Sequence, residues 1–320
     1  MDPMTAAKLQ HMQIAPYTWF DGALREHTGI GVDAFAHGLH YGTGVFEGLR
    51  AYATPRGPAI FRLREHMERF ERSAAVYGLD LGRTVDELCA AVCETVTANQ
   101  LESAYIRPLA FFGEKTISLA PRFHCPTHVL IALRALGNYF GAGQARGIRV
   151  TLSSWRKFSS QALPATVKGC GHYANSVLAM QEAVARGFDE ALLLNDRGQI
   201  SEGTGENFFV VKNGTVRTND ESADILPGLT RASVLALCAQ MQIPTEIGPL
   251  TLDDLYAADE VFVTGTAVEV TPVIALDERT FAAGPITERL CAAYTRAVTG
   301  QDPERAAWVT YAGRPERSVA

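Results

Sequence analysis

Five lysines occur in the 320 residues, and they differ sharply in setting. Lys8 lies near the start of the chain, and Lys212 opens a hairpin turn. Lys115 and Lys157 fall in segments that read as polar loops. Lys168 stands in Ala162-Leu163-Pro164-Ala165-Thr166-Val167-Lys168-Gly169-Cys170-Gly171. Small and apolar neighbours solvate an ammonium poorly. Desolvation lowers a lysine pKa and yields the neutral amine that a nucleophile or a Schiff base requires. A surface lysine in a loop is the ordinary alternative.

Two segments could hold a phosphate. Pro227-Gly228-Leu229-Thr230 directly precedes an amphipathic stretch. The N–H groups of Leu229 and Thr230 would then be helix-start donors, with the Thr230 hydroxyl beside them. Thr264-Gly265-Thr266-Ala267 follows the apolar Val261-Phe262-Val263 and could form a small anion-binding nest. An ordinary helix cap and a polar turn are the plainer readings. A cation is available in Arg69, three residues after His66 and on the same helix face. Pyridoxal phosphate (PLP) joins a lysine Schiff base to a phosphate. Its pyridine nitrogen also needs an acid that keeps it protonated. Ser201-Glu202-Gly203-Thr204-Gly205-Glu206-Asn207 supplies two acids among glycines, although a charged hairpin tip would look the same.

The elements that must position these groups alternate between helix and strand, which predicts an α/β or α+β class. Strands are expected at Tyr17 to Phe20, Ala104 to Phe112, His128 to Leu136, Ile148 to Ser154, Glu190 to Asn195 and Glu260 to Val263. Asn207 to Val211 and Thr215 to Thr218 flank an Asn-Gly turn and predict a hairpin. Helices are expected at Arg64 to Tyr77, Thr84 to Gln100, Ala174 to Arg186, Leu229 to Gln242 and Thr287 to Thr299. Thr84 and Glu87 have the form of a capping box. The glycine-rich stretch from Gly137 to Gly143 predicts a linker. The expected division is a smaller N-terminal domain over 1–136, with 1–13 loose, a linker over 137–147 and a larger cofactor-binding domain over 148–320. The cofactor is expected between the domains.

Composition narrows the function classes. With 47% hydrophobic and 20% charged residues, the chain has the balance of a soluble globular protein. A net charge of −6 gives no electrostatic case for nucleic acid. No apolar run reaches the roughly 18 residues of a membrane helix, and residues 1–13 do not read as a signal peptide. The six cysteines form no C-x-x-C and no zinc spacing, so no metal site is expected and a reducing cytoplasm fits.

The chain resembles the branched-chain amino-acid aminotransferases, which are fold-type IV PLP enzymes, from about Tyr17 to Gly300. The segments that carry the likeness are His37-Gly38-Leu39-His40-Tyr41-Gly42-Thr43-Gly44-Val45-Phe46-Glu47-Gly48, Ala104-Tyr105-Ile106-Arg107-Pro108, the Lys168 and Glu202 segments, Leu226-Pro227-Gly228-Leu229-Thr230-Arg231 and Thr264-Gly265-Thr266-Ala267. Each is modestly specific, and their shared order is highly specific. The resemblance implies that Lys168 forms the Schiff base and carries the substrate proton. It implies Tyr173 on the cofactor's phenolic oxygen and Glu202, rather than Glu206, on the pyridinium nitrogen. Arg69, Thr230, Thr266 and the Leu229 backbone would hold the phosphate. Tyr105 and Arg107, two apart on a strand, project from one face and put a hydroxyl beside a carboxylate-binding fork. Gly48, Tyr41, Phe46 and Tyr139 would line the substrate pocket, and the N–H groups of Thr266 and Ala267 would meet the substrate carboxylate.

The implied reaction is a ping-pong amino transfer from a branched-chain or related aliphatic L-amino acid to a 2-oxo acid such as 2-oxoglutarate, by a homodimer or a multiple of it. The sequence departs from the family pattern at Leu136, at Ile117-Ser118-Leu119-Ala120-Pro121, at His172 and at Asn219-Asp220-Glu221. The first two bear on the substrate. Fold-type IV relatives that act on D-amino acids or amines, aminodeoxychorismate lyases, and a non-enzymatic anion-binding protein are the rivals. The Tyr105–Arg107 pair argues for the branched-chain type.

Overall fold

A computed structural model describes residues 13–135 and 147–313. The linker expected over 137–147 falls almost wholly outside the described residues, as do Leu136, Tyr139 and residues 1–12 of the expected loose start. The chain forms two compact units.

One unit holds 13–135, Val167–Gly171 and 296–313. Its sheet contains β1 (Tyr17–Phe20), β2 (Ala23–Glu26), β3 (Gly44–Phe46), β4 (Leu49–Tyr52), β5 (Ala59–Phe61), β6 (Ala104–Phe112) and β7 (Thr127–Ala135). The spine is the antiparallel β6–β7 pair, in register from Ala104↔Ala135 to Phe112↔Thr127. Burial alternates along β6, as a strand with one face on a core requires. Ala104, Ile106 and Ala110 face that core, and Tyr105 and Arg107 face the other side. A short helix, α1 (His37–Tyr41), precedes β3. Two longer helices, α2 (Leu63–Tyr77) and α3 (Val85–Ala98), pack on the core. The expected capping box forms: Thr84 accepts from the Glu87 backbone, and the Glu87 carboxylate accepts from the Thr84 backbone. The buried stripe of α2 is Leu63, Met67, Phe70 and Ala74, at helical spacing, but it also buries His66, Arg69 and Ser73. Such polar burial on a core-facing stripe marks a site.

The other unit holds 147–166 and His172–Thr295. Its strands are β8 (Ile148–Arg156), β9 (Glu190–Leu194), β10 (Asn207–Lys212), β11 (Thr215–Thr218), β12 (Thr245–Ile247), β13 (Glu260–Gly265), β14 (Glu269–Leu276) and β15 (Arg279–Thr280). The sheet is mixed, in the order β12-β11-β10-β13-β14-β8-β9, with β15 paired to β14. A helix, α4 (Tyr173–Ala185), joins the parallel pair β8–β9. Three further helices follow: α5 (Leu229–Gln240), α6 (Leu252–Tyr256) and α7 (Pro285–Val298), the last belonging to this unit through Thr295. The Asn213-Gly214 turn has positive φ at both residues (49° and 78°), the geometry that a two-residue hairpin favours.

The expected second domain runs unbroken from 148 to the end of the chain. The structure groups Val167–Gly171 and the end of the chain with the first sheet instead. Backbone pairing is the reason. The strand Val309–Tyr311 bonds to β5, and Gly169 bridges to Val45.

Candidate active site

In the first unit, Lys168 is held as if it lay on a short added strand. Phe46 N–H donates to the Lys168 carbonyl (3.1 Å), and the Lys168 N–H donates to Ser73 Oγ (3.3 Å). Gly171 N–H donates to the Gly42 carbonyl (3.1 Å). Gly42 is required here, because φ is +64° and a Cβ would lie 2.8 Å from Gly171 Cα. The residue is partly buried while its amine is desolvated, 5.1 Å from the Phe46 ring centre. Burial pushes the ammonium down, the Arg69 charge adds to that, and Glu47 opposes it. The outcome is a pKa of about 8 rather than the ordinary 10.5. The neutral amine therefore becomes available as pH rises through about 8. In the cofactor-free chain, acylation of Lys168 by an amine-reactive probe is expected to rise across that interval. Pulse labelling read by peptide mass spectrometry checks this.

Around the amine stand Phe46, Tyr105 and Arg107. Arg107 Nη2 donates to Tyr105 Oη (2.8 Å), and its guanidinium lies 4.5 Å from the Phe46 ring centre. Arg107 Nε is buried without a hydrogen-bond partner among the described residues. Such a group is unusual in a finished structure and suits a ligand. Gly48 is fully packed, and a Cβ there would run into Tyr105 Oη. Gly48→Ala is expected to destabilise the protein by about 1–3 kcal/mol through overpacking and to raise KM. Thermal melts and steady-state kinetics measure both. Arg69 is clamped on Glu47, with Nε at 2.6 Å and Nη2 at 2.9 Å. Tyr41 is exposed on α1, and its hydroxyl donates to the Ile117 carbonyl (3.2 Å). Tyr139, the other expected pocket wall, lies outside the described residues.

In the second unit, Glu202 sits in a loop that folds back on β9 through the bonds Leu193 N–H to the Glu202 carbonyl and Ser201 N–H to the Leu193 carbonyl. Its carboxylate is 7% exposed as a residue and accepts from Lys157 Nζ (2.5 Å), from the Leu226 N–H (2.8 Å) and at long range from Asn207 Nδ2 (3.5 Å). Lys157 is a buried partner of Glu202 that its local sequence does not reveal. Its segment reads as a polar loop, yet it is only 8% exposed and ion-paired. The other acid of the Glu202 segment, Glu206, turns toward Glu190. Burial, then the nearby Glu206 charge and hydrogen bond, push the Glu190 carboxyl well up, so the pair retains a proton. Glu190 also accepts from the Thr204 N–H (3.0 Å) and pins the loop.

The N-cap of α5 is Gly228, which offers no capping side chain, so Leu229 and buried Thr230 stand at a helix start without a side-chain cap. Asn207 Oδ1 occupies the place of a Cβ on Gly228. Thr264 Oγ1 is buried without a partner among the described residues, at the head of the turn that carries Gly265, Thr266 and Ala267. Tyr173 is partly buried as the first residue of α4. Among the described residues, no group of three or more His, Cys, Asp or Glu could hold a metal, and no helix is long and apolar enough to cross a membrane.

The family model described as amino-transferase class IV matches residues 44–276. The branched-chain-amino-acid aminotransferase of Escherichia coli (strain K12) is 38% identical over 299 residues, covering 92% of this chain and 97% of that protein. The Pseudomonas aeruginosa protein of the same name is 40% identical over 296 residues, covering 91% and 96%. Among solved structures, a branched-chain amino acid aminotransferase with pyridoxamine 5'-phosphate is similar with a TM-score of 0.91 at 42% identity, covering 93% of this chain and 99% of that one. The same protein has also been solved with N-(5'-phosphopyridoxyl)-L-glutamate and with 4-methylvaleric acid. The branched-chain aminotransferase of Thermoproteus uzoniensis, solved with norvaline, has a TM-score of 0.89 at 41% identity, covering 92% of this chain and 99% of that one.

Proposed function

Because this chain belongs to the class IV aminotransferases, we propose that it moves the amino group of a branched-chain or related aliphatic L-amino acid to a 2-oxo acid such as 2-oxoglutarate, with Lys168 as its central group. The observation that carries the reading is a desolvated lysine amine beside an arginine–tyrosine pair. PLP, when bound, supplies an aldehyde that captures amines and a ring that takes up the electron pair left as the α-proton departs. The residues fit that group. The amine is depressed, two buried polar atoms (Arg107 Nε and Thr264 Oγ1) await partners, and α5 starts at a glycine cap.

Lys168 Nζ would be the amine that holds the cofactor's aldehyde carbon, and the same amine would carry the proton of the substrate α-carbon. Glu202 holds a proton at the pyridine nitrogen, with Lys157 behind it as counter-charge. Tyr173 donates to the phenolic oxygen. Arg69, Thr230, Thr266 and the Leu229 N–H hold the phosphate. Thr266 and Ala267 N–H groups meet the substrate carboxylate, and Phe46, Gly48 and Tyr41 shape the space for its side chain. Arg107 with Tyr105 takes a side-chain carboxylate in a charge-assisted fork, and Phe46 beside them suits an aliphatic chain.

Single-turnover mixing with L-leucine, L-glutamate and D-alanine tests this. Spectral change is expected with the first two and not with D-alanine. Reaction with D-alanine alone would replace the reading by a D-specific one. Arg107→Met is expected to slow the L-glutamate half-reaction by about 10- to 100-fold, from the loss of a charged hydrogen bond. The same variant should change the L-leucine half-reaction only a few-fold.

A second copy of the chain is the proposed partner. Phe35 (66% exposed), Leu39 (65%), Ile117 (62%), Leu119 (82%) and Phe123 (77%) leave apolar surface uncovered on the first unit. All six cysteines are free, which suits a reducing cytoplasm.

A further inference from the structure

The buried polar face of α2 holds more than a phosphate site needs. Glu47, between β3 and β4, has no exposed surface. Its carboxylate accepts from Arg69 Nε (2.6 Å) and Nη2 (2.9 Å), from His66 Nδ1 (2.7 Å) and from the Gly48 N–H (3.3 Å). An ionised carboxylate only accepts, so His66 carries its proton on Nδ1. Burial would push the Glu47 carboxyl up, but Arg69 and His66 outweigh it and hold the carboxyl well below the usual range. Burying a charge is costly and is offset only by well-placed partners, which here are Arg69 and His66.

Two consequences follow for the neighbours. The fork takes one edge of the guanidinium, which fixes the plane of Arg69 and hence the direction of its other edge. The charged and titratable groups that act on the Lys168 amine are Arg69 and His66 from α2, Tyr105 and Arg107 from β6, and Glu47. Burial keeps His66 mainly neutral, so Glu47 is the chief negative charge against two guanidiniums.

We infer that Glu47 is a positioning residue: it aims Arg69 and balances the charge around the Lys168 amine. This rests on the reading of Lys168 and Arg69 as cofactor ligands. The competing view is an ion pair that only stabilises the core.

The full-length chain loaded with PLP separates the two, using Glu47→Gln and Glu47→Asp. The readouts are the pH titration of the visible band of the lysine-bound cofactor, the PLP dissociation constant and the Tm. Removing a negative charge disfavours a nearby cation, so the titration midpoint of Glu47→Gln should fall below that of the wild type. Its PLP affinity should drop about tenfold or more, the scale of one charged hydrogen bond. Glu47→Asp keeps the charge but is one methylene too short to close the fork. Its midpoint should stay near the wild-type value while its affinity still drops. A lowered Tm with midpoint and affinity unchanged in either variant would overturn the inference. If Glu47→Gln does not fold, Glu47→Asp decides the matter, because unchanged PLP affinity there removes the positioning role. A wild-type chain that forms no visible band would defeat the underlying reading, and this inference with it. A normal wild-type band with inert variants defeats the inference alone.

Discussion

Lys168→Ala is expected to lower transamination by about 10⁴-fold or more and to abolish the visible band, while leaving the fold intact. Two roles vanish together: the covalent link to the aldehyde carbon and the general acid–base transfer at the α-carbon, itself worth about 10²–10⁴-fold. The fold should survive because the Val167–Gly171 segment is tied down by backbone bonds to Phe46 and Gly42. Lys168→Arg is a useful companion, since it keeps the charge and loses the nucleophile. A small primary amine added to Lys168→Ala should restore part of the rate. Lys157 is committed to Glu202 and Lys212 to Asp259. Stopped-flow absorbance with L-leucine and circular dichroism read the two halves of this expectation.

Glu202→Ala is expected to cost both rate and stability. Truncation leaves the Lys157 ammonium, 8% exposed, without its carboxylate, and deprives the Leu226 N–H of its acceptor. Breaking a buried pair from one side costs about 3–5 kcal/mol, a large share of a protein's whole stability. Loss of the acid at the pyridine nitrogen should lower kcat by about 10²–10³-fold, the scale of removing one preorganised electrostatic contact. The double variant K157M/E202L separates the effects. Two apolar side chains of similar size should recover most of the lost stability, because buried ion pairs are often replaceable in this way. Activity should stay low. Recovery of activity together with stability would mean that the pair is only structural. Denaturant melts and steady-state kinetics on the wild type and the two variants suffice.

The legible parts of the sequence were those whose signal is local. The capping box at Thr84, the Asn213-Gly214 turn and the long alternating strand around Tyr105 and Arg107 each follow from neighbours within a few residues. Lys168 also stood out locally, through its small and apolar surroundings. The missed elements were short or buried on every side. Gly44–Phe46, Leu49–Tyr52 and Ala59–Phe61 have three or four residues each, and the first and third show no alternation because every residue is buried. Lys157 follows Trp155 and Arg156 in a stretch with an ordinary surface look, and its partner lies 45 residues away. Glu47 belongs to the motif segment His37 to Gly48, but its clamp on Arg69 spans 22 residues and two elements, which no window of sequence displays. The return of the chain end to the first sheet is likewise a long-range pairing.

Borohydride reduction of the PLP-loaded protein, followed by proteolysis and mass spectrometry, reaches the chemistry most directly. One pyridoxyl group per chain is expected, borne by the peptide containing residue 168. A label on Lys157, Lys115 or Lys212, or no stable label at all, would contradict the assignment of Lys168.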